Sequence, residues 1–247
     1  LYPASVICEV MNEDGTMARM PELEKISEEY DIKIVSVEQI IQYRHEKDNM
    51  IAKVAETKLP TKFGEFMSVA FRSLTDSDEH VALVKGDLTA ADTIPLVRVH
   101  SQCLTGDTFK SLRCDCGEQM ELAIKQIAQE NEGIFLYMRQ EGRGIGLVNK
   151  IRAYELQDKG MDTVEANEAL GFAADERDYS YCKEILSSVN IESVRLMTNN
   201  PRKINGLEDV GIKVTERVAI QVDPNKHNED YLKVKADKLG HMMKSSD

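Results

Sequence analysis

The sequence lacks several features that would each point to a particular class of protein. It has no apolar run approaching the roughly 20 residues that a membrane-spanning helix needs, and no signal peptide. It is poor in basic charge, since 31 lysines and arginines stand against 43 aspartates and glutamates. Proteins that coat nucleic acids bind the phosphate backbone with basic surfaces, so a net charge of −12 argues against a nucleic-acid-binding protein. We expect a cytoplasmic protein whose partners are neither membranes nor nucleic acids.

The five cysteines do not form the even set that a disulfide framework needs, which favours a reduced setting. Three of them, Cys103, Cys114 and Cys116, lie within fourteen positions, which is too dense for ordinary core residues. This spacing is typical of a metal site. A structural zinc site has four protein ligands, whereas three ligands leave one position for water, whose pKa the metal lowers to about 7. The cluster therefore predicts an enzyme.

Two alternatives to an open zinc site stay in view. His100, Cys8 or Cys182 could supply a fourth ligand, and the closed site would then stabilise a non-catalytic interaction or regulatory module. A nucleobase deaminase also uses zinc and water, but it needs a His-x-Glu string and a Pro-Cys-x-x-Cys string. Neither string is present.

The chain divides near residue 45, where the pattern of predicted strands and helices changes. Before it, apolar runs predict a buried strand at Val6–Met11 and a second strand at Ile32–Val37, each followed by a helix. So few elements bury little surface, and we interpret residues 1–47 as a small appendage. Residues 48–247 form the main predicted domain.

The main domain has the pattern of an α/β or α+β fold. Alternating residues predict antiparallel strands at Phe66–Phe71, His80–Val84 and Pro95–His100. Helical periodicity then alternates with short apolar runs. Helices are predicted at Glu118–Gln129, Gly146–Asp158, Asp178–Val189, Arg202–Val210 and Tyr231–Leu239, and strands at Gly133–Tyr137, Ser193–Met197 and Val214–Val222. The expected result is a mixed sheet with antiparallel N-terminal strands and flanking helices.

Four further segments carry groups that suit phosphates or a purine. Arg139–Gly146 follows a strand and opens a helix with three glycines and two arginines, where N–H groups and guanidinium forks can hold an anion. Asp175 and Arg177 precede a helix, Thr198–Lys203 lies between a strand and a helix, and Lys150–Tyr154 places a tyrosine on a helix. Taken singly, each also fits a solvated turn, an N-cap or a core tyrosine.

In their order and spacing, these segments together resemble GTP cyclohydrolase II. The segments are Arg98–Asp107, Ser111–Gly117, Arg139–Arg143, Lys150–Tyr154, Gly171–Arg177 and Thr198–Lys203, and the resemblance runs from about Val54 to the end of the sequence. The first 45 residues resemble the C-terminal end of 3,4-dihydroxy-2-butanone 4-phosphate synthase, through Tyr2–Met11 and Asp14–Arg19. Bifunctional riboflavin-biosynthesis proteins contain these two units in this order.

The resemblance implies hydrolysis of GTP to formate, pyrophosphate and 2,5-diamino-6-ribosylamino-4(3H)-pyrimidinone 5′-phosphate, the first step of riboflavin biosynthesis. It implies about one Zn²⁺ per chain on Cys103, Cys114 and Cys116, Mg²⁺ on the GTP triphosphate, and a homodimer with its sites near the interface. It also implies that the N-terminal piece has no synthase activity, because only Glu9 of the probable synthase site is present.

By the same matching, Tyr154 acts at the ring that opens, and Arg177 is the nucleophile on the α-phosphate with Asp175 as its proton acceptor. Because a guanidinium is protonated at ordinary pH, an electrostatic clamp with water as the attacking group is the alternative role for Arg177. We expect Glu141 to read guanine, whose N1–H and N2–H₂ donors suit one carboxylate. The implied substrate-binding residues are Arg98, Val99, His100, Ser101, Gln102, Gln119, Glu141, Gly142, Arg143, Thr163, Thr198 and Lys203.

Overall fold

The computed structural model describes residues 2–88 and 94–242. The chain divides into two compact units, Leu1–Asp48 and Asn49–Asp247. Within the described residues, no helix is long and apolar enough to cross a membrane.

The first unit contains two helices, α1 (Met20–Tyr30) and α2 (Val37–Lys47). Helix α1 has Pro21 in its first turn, where the fixed φ of proline suits a helix start. Helix α2 begins after Ser36, whose hydroxyl accepts from the Gln39 N–H while the Gln39 side chain accepts from the Ser36 N–H. This reciprocal pair is a capping box, which fixes the start of α2.

The two strands predicted in the first unit are wrong. Its described residues contain one isolated bridge, Met11 with Met17, and residues 32–36 have no regular structure. Val6 and Ile7, expected to be buried, are 96% and 94% exposed. An apolar run becomes a strand only where a neighbouring strand can pair with it, and within this unit these runs have no such neighbour.

The second unit contains one mixed sheet, which confirms the predicted fold class. In the described residues its strands are β1 (Ile51–Thr61), β2 (Gly64–Ser73), β3 (Glu79–Lys85), β4 (Leu96–Ser101), β5 (Gly133–Met138), β6 (Ser193–Met197) and β7 (Lys213–Val218). Their order across the sheet is β1-β2-β3-β5-β4-β6-β7. The first four strands in that order pair antiparallel, and the β5–β4, β4–β6 and β6–β7 pairs are parallel.

The prediction that the Pro95–His100 strand is antiparallel is wrong, because β4 runs parallel to both of its neighbours. Residues 96–100 are all buried, as expected for a strand covered on both faces by helices. The sequence also gave no signal for β1, whose side chains are almost all exposed. An edge strand without an alternating apolar face has no periodicity to detect.

Helices cover both faces of the sheet. They are α3 (Leu104–Asp107), α4 (Cys116–Gln129), α5 (Gly146–Gln157), α6 (Thr163–Ala169), α7 (Ser180–Ser187), α8 (Pro201–Asp209) and α9 (Glu229–Asp237), with a 3₁₀ turn at Glu141–Gly144. Each predicted helix is present, whereas α3 and α6 are too short to give a periodic signal. Successive strand residues point to opposite faces, so Phe135 packs in the cluster with Ile127 of α4, and Leu136 in the cluster with Ile185 of α7. The core thus fixes both helix layers relative to β5.

Candidate active site

The predicted site residues follow the carboxyl ends of the central parallel strands. His100 and Ser101 end β4, with Gln102 and Cys103 directly after it, Glu141–Arg143 follows β5, and Thr198–Asn200 follows β6. Parallel strands bring their carboxyl ends to one edge of a sheet, and the loops that leave them form a crevice there. The order β5-β4-β6 therefore brings together three segments that are far apart in the sequence.

One cavity at this edge is lined by every predicted site residue except Val99 and Asp175. Val99 is 1% exposed and packs in the core behind the cavity. Asp175 binds Arg177 instead, with its Oδ1 2.7 Å from Nε and its Oδ2 2.5 Å from a terminal nitrogen. The predicted residues on the cavity wall are Arg98, His100, Ser101, Gln102, Cys103, Cys114, Cys116, Gln119, Glu141, Gly142, Arg143, Tyr154, Thr163, Arg177, Thr198 and Lys203.

Three thiols meet at one side of this cavity. The sulfurs of Cys103, Cys114 and Cys116 all lie within 4.8 Å of one another, and the first two are 3.6 Å apart. Tetrahedral zinc with Zn–S bonds of about 2.3 Å would hold its sulfurs roughly 3.8 Å apart. A Cβ at Gly106 would lie 2.8 Å from the Cys114 sulfur, so glycine is needed for the thiols to converge. The cluster therefore fits a zinc ion.

A fourth protein ligand is missing from this cluster in the part of the chain that the structure describes. The Nε2 atom of His100 lies 3.0 and 3.1 Å from the two carboxylate oxygens of Asp107 instead. Cys182 is fully buried in the hydrophobic core. The closed site that would use either residue is therefore not formed.

Lys150 connects the thiols to the turn after β5. Its Nζ lies 3.0 Å from the Cys103 sulfur and 2.7 Å from Glu141 Oε1. Hydrogen bonds from the Cys114 and Cys116 thiols lower the pKa of Cys103, and the adjacent ammonium lowers it further. Burial opposes the charge on Lys150, but Cys103 and Glu141 outweigh it and raise its pKa. The sequence analysis missed this residue, although its position one turn before Tyr154 places both on one helix face.

Glu141 already has partners within the protein. Its Oε2 accepts from the Leu104 N–H at 2.7 Å, and its Oε1 accepts from Lys150 and, at 3.2 Å, from the Gly142 N–H. A carboxylate offers about four acceptor positions, so it retains at least one for another donor. The next two residues, Gly142 and Arg143, have φ of 64° and 63°. A left-handed arginine costs about 1–2 kcal/mol, and this turn directs its side chain to the cavity wall.

Cations line the cavity beside Thr198. Arg177 is held by Asp175, and although burial opposes its charge, this carboxylate raises its pKa. Lys203 is buried and donates from Nζ to the Val99 carbonyl at 2.7 Å. Burial, followed by the charges of Arg98 and Arg177, moves the pKa of Lys203 well below its ordinary value. A buried set of cations with one carboxylate among them favours binding of an anion.

Tyr154 is a residue of α5 that lines the cavity close to the thiols. Its hydroxyl is 3.5 Å from Thr105 Oγ1, which is itself 3.7 Å from the Cys103 sulfur. The Arg113 guanidinium lies 5.1 Å from the centre of the Tyr154 ring. Burial raises the pKa of this tyrosine, so its hydroxyl keeps its proton at neutral pH.

Helix α9 and the residues after it contribute cavity residues that sequence reasoning missed. Tyr231, Lys235 and His241 all line the cavity. The helix itself was predicted, but no motif marked these side chains, because their relation to the thiols exists only in three dimensions. Lys235 forms a buried ion pair with Asp115, which lies between two of the cysteines.

The GTP cyclohydrolase II family model matches residues 52–219, more than half of the chain and nearly all of the elements described above. The chain belongs to the GTP cyclohydrolase II family. Residues 1–43 match the family model of 3,4-dihydroxy-2-butanone 4-phosphate synthase. The thiol cluster and the cation set both lie within the GTP cyclohydrolase II match.

Relatives of this GTP cyclohydrolase II chain include the riboflavin biosynthesis protein RibBA of Endomicrobium trichonymphae, 52% identical over 243 residues. RibBA of Bacillus mycoides (strain KBAB4) is 53% identical over 241 residues. Each match covers 98% of this chain and 60% of the relative, so the chain spans less than two thirds of these proteins. A crystal structure of RibBX, a two domain 3,4-dihydroxy-2-butanone 4-phosphate synthase from A. baumannii, matches with a TM-score of 0.49 and 22% identity, covering 87% of this chain and 53% of that one.

Proposed function

We propose that this chain hydrolyses GTP at the imidazole ring and at the triphosphate, releasing formate and pyrophosphate, as the first step of riboflavin biosynthesis. The observation that carries the proposal is the meeting of a three-thiol cluster and a set of buried cations in one cavity. Neither feature alone specifies GTP. Together, in a chain of this family, the thiol cluster would act on the imidazole ring of GTP and the cations on its phosphates.

The ring is opened beside the thiols of Cys103, Cys114 and Cys116. When bound there, zinc supplies Lewis acidity and lowers the pKa of a water ligand to about 7. Lys150 balances the negative charge of the thiolates and fixes Cys103. Tyr154, which stays protonated, donates a proton to the ring nitrogen that is released when the C8–N bond breaks.

The triphosphate is held by Arg143, Arg177, Thr198 and Lys203. Arg177 remains charged beside Asp175, so we assign it the role of a clamp on the α-phosphate while water attacks. Apart from the thiols, the described residues contain no group of three or more potential metal ligands. Magnesium would enter with the triphosphate and would neutralise charge on the leaving pyrophosphate.

Guanine is read by the acceptor position of Glu141 that its protein partners leave unused, with the N1–H and N2–H₂ groups as donors. Arg98 and Gln119 lie on the wall of the same cavity and are joined by a hydrogen bond of 2.6 Å. The remaining residues on this side, His100 to Gln102 with Thr163, complete the nucleotide pocket.

A metal count combined with a GTP turnover assay tests this function. The proposal requires about one zinc per chain and the release of formate and pyrophosphate together. Ammonia would indicate a deaminase, and a zinc-containing chain that leaves GTP unchanged would indicate an interaction module. Cys114→Ser should lose the zinc and formate release, whereas Cys8→Ser, at an exposed cysteine, should lose neither.

We also propose that two chains pair through the outer face of α5. Leu147, Val148 and Ile151 lie on that face and are 38%, 67% and 49% exposed. Phe109 and Leu112, 70% and 53% exposed, belong to the loop that α5 holds through an ion pair between Arg113 and Asp158. Exposed apolar side chains on one helix face support a protein interface at that face. Light scattering should give twice the mass of one chain, and Val148→Asp should halve it while Val54→Asp on β1 does not.

The first unit has a separate role. We propose that residues 1–47 are part of a 3,4-dihydroxy-2-butanone 4-phosphate synthase domain and that residues 48–247 are the GTP cyclohydrolase II domain. The exposed apolar side chains of the first unit agree with a piece of a larger domain. Ribulose 5-phosphate incubated with this chain should give no dihydroxybutanone phosphate, and formation of that product would contradict the assignment.

A further inference from the structure

The segment after residue 219 lies outside the family match, yet it forms one wall of the cavity. Lys235 of α9 is 8% exposed and extends its ammonium toward the loop that carries two of the cysteines. There its Nζ donates to Asp115 Oδ1 at 2.5 Å. Asp115 is 2% exposed, so this ion pair is buried on both sides.

Asp115 is the first link in a series of buried and partly buried hydrogen bonds. Its Oδ2 accepts from Gln119 Nε2 at 2.5 Å, and Gln119 Oε1 accepts from Arg98 at 2.6 Å. Arg98 donates in turn to the Met197 carbonyl at the end of β6, at 2.9 Å. The series therefore runs from α9 through the start of α4 to β4 and β6.

Asp115 also separates Cys114 from Cys116 in the sequence, so a contact that anchors its side chain restrains the main chain that carries both sulfurs. The main chain of this loop begins α4, and the Asp115 side chain makes no cap bond to that helix. The hydrogen bonds of Lys235 and Gln119 are thus the described contacts that fix the carboxylate. Residues that orient metal ligands from outside the ligand set commonly change metal affinity roughly 10- to 100-fold when removed.

Helix α9 is also held against the rest of its unit by contacts other than the Lys235–Asp115 ion pair. The ion pair is therefore not needed simply to dock the helix. Leu232 is 7% exposed and Asn228 is fully buried. Beyond the helix, the Met242 N–H donates to the Asn199 carbonyl at 2.8 Å. These contacts remain when the Lys235 side chain is changed.

We propose that Lys235 is a positioning residue of the metal site: its ammonium, acting through Asp115, holds the loop of Cys114 and Cys116 in the arrangement that binds zinc. The C-terminal segment is then part of the zinc site although none of its residues up to Met242 belongs to the ligand cluster. The inference rests on the proposed function for the presence of zinc, but not for GTP or for either hydrolysis.

The test measures the zinc dissociation constant of the whole chain by competition with a chromophoric chelator. Lys235→Met should weaken zinc binding roughly 10- to 100-fold, because the Asp115 carboxylate loses the ammonium that holds it, and with it the cysteine loop, in place. The matched control is Lys233→Met, the same change at an exposed position on the same helix, which should stay within about twofold of the unchanged chain. A Lys235→Met chain with unchanged zinc affinity would overturn the proposal.

A second pair of variants covers the case in which Lys235→Met does not fold. Asp115→Asn combined with Lys235→Met removes both charges at once, so it should fold and bind zinc more tightly than either single variant that can be measured. Lys235→Arg keeps the charge and should bind within a few-fold of the unchanged chain. A double variant no better than the singles, or an arginine variant as weak as the methionine one, would show that packing rather than charge is responsible.

A spectroscopic measurement separates positioning from general loss of stability. The cobalt-substituted chain reports the geometry of its thiolate ligands through its absorption bands. Lys235→Met should shift these bands, in addition to any fall in the thermal midpoint of the metal-free chain that the unpaired Asp115 carboxylate causes. Unchanged bands with a lowered midpoint would overturn the proposal. If the unchanged chain binds zinc and shows the Lys235 effect but leaves GTP intact, the proposed function fails and this inference stands.

Discussion

Lys150 Nζ lies 2.7 Å from Glu141 Oε1 and places one positive charge between the proposed guanine-reading carboxylate and the thiols. Both side chains are about one tenth exposed. A buried pair of this kind resists the loss of either partner, because the charge that remains is desolvated and uncompensated. Lys150 therefore couples the thiols, where the ring would open, to Glu141, which would read the base.

Lys150→Met should lower the free energy of unfolding by about 3 kcal/mol, since it leaves Glu141 buried without its counter-ion. Chemical denaturation of the metal-free chain measures this. Lys159→Met is the matched control, because its ion pair with Glu155 is mostly exposed and exposed pairs contribute about 1 kcal/mol or less. Equal losses from the two variants would contradict a buried charge at Lys150.

ATP should be a very poor substrate. Adenine has no N1–H or N2–H₂ group, so it would leave the Glu141 acceptor unpaired, and sites that bind a polar group reject analogues that lack it by roughly 10⁴-fold. The measurement is kcat/KM for both nucleotides. Comparable values for ATP and GTP would remove Glu141 from base reading, as would a Glu141→Gln variant that keeps the full preference.

The two hydrolyses should fail separately. Cys116→Ser removes a thiol but leaves the phosphate cations unchanged, so it should make little formate and still release some pyrophosphate, leaving a monophosphate with an intact ring. Arg177→Ala should lose pyrophosphate release, and formate as well if phosphate attack anchors the ring. Chromatography with separate formate and pyrophosphate assays decides this, with Arg72→Ala, at an exposed arginine of β2, as the control. A folded, GTP-binding Cys116→Ser chain that loses both products equally would show that the metal couples the steps.

Phosphate binding should be accompanied by proton uptake at Lys203. Burial, Arg98 and Arg177 hold the pKa of Lys203 well below its ordinary value in the free protein. An anion beside the amine raises that pKa again, so between the two pKa values the complex holds more protons than the free chain. Affinity should therefore fall as the pH rises through this window. Calorimetric titration with pyrophosphate in two buffers of different ionisation enthalpy measures the uptake, and Lys203→Met should abolish it.

Short motifs carried the sequence prediction of the site. Cys114 and Cys116 are near neighbours in the chain, and Gly142 and Arg143 share one turn, so local spacing was enough to group them. Lys150 was missed as a site residue even though it begins a quoted segment, because its partners at positions 103 and 141 are identified only by the fold. Lys235 was missed for the same reason, since its contact with Asp115 joins residues 120 positions apart.

The fold was predictable where burial imposes a period. The strands around Phe66–Phe71 and Gly133–Tyr137 were located correctly because their alternation or apolar run reflects a covered face. The direction of strand pairing could not be predicted, because the sequence of β4 would look the same in a parallel or an antiparallel pair. The apolar run at Val6–Met11 failed in the opposite way, because its pattern is that of a covered strand and its own unit offers no cover.

The outer edge of β1 pairs with no strand in the described part of the chain. An unpaired edge can recruit strands from other molecules and so begin aggregation. Lys53, Lys58 and Pro60 lie along this strand, and lysine and proline are the residues by which natural sheets discourage such additions. The exposed, charged residues that left β1 without a detectable apolar period thus also protect the protein. They end the sheet and keep concentrated protein from associating edge to edge.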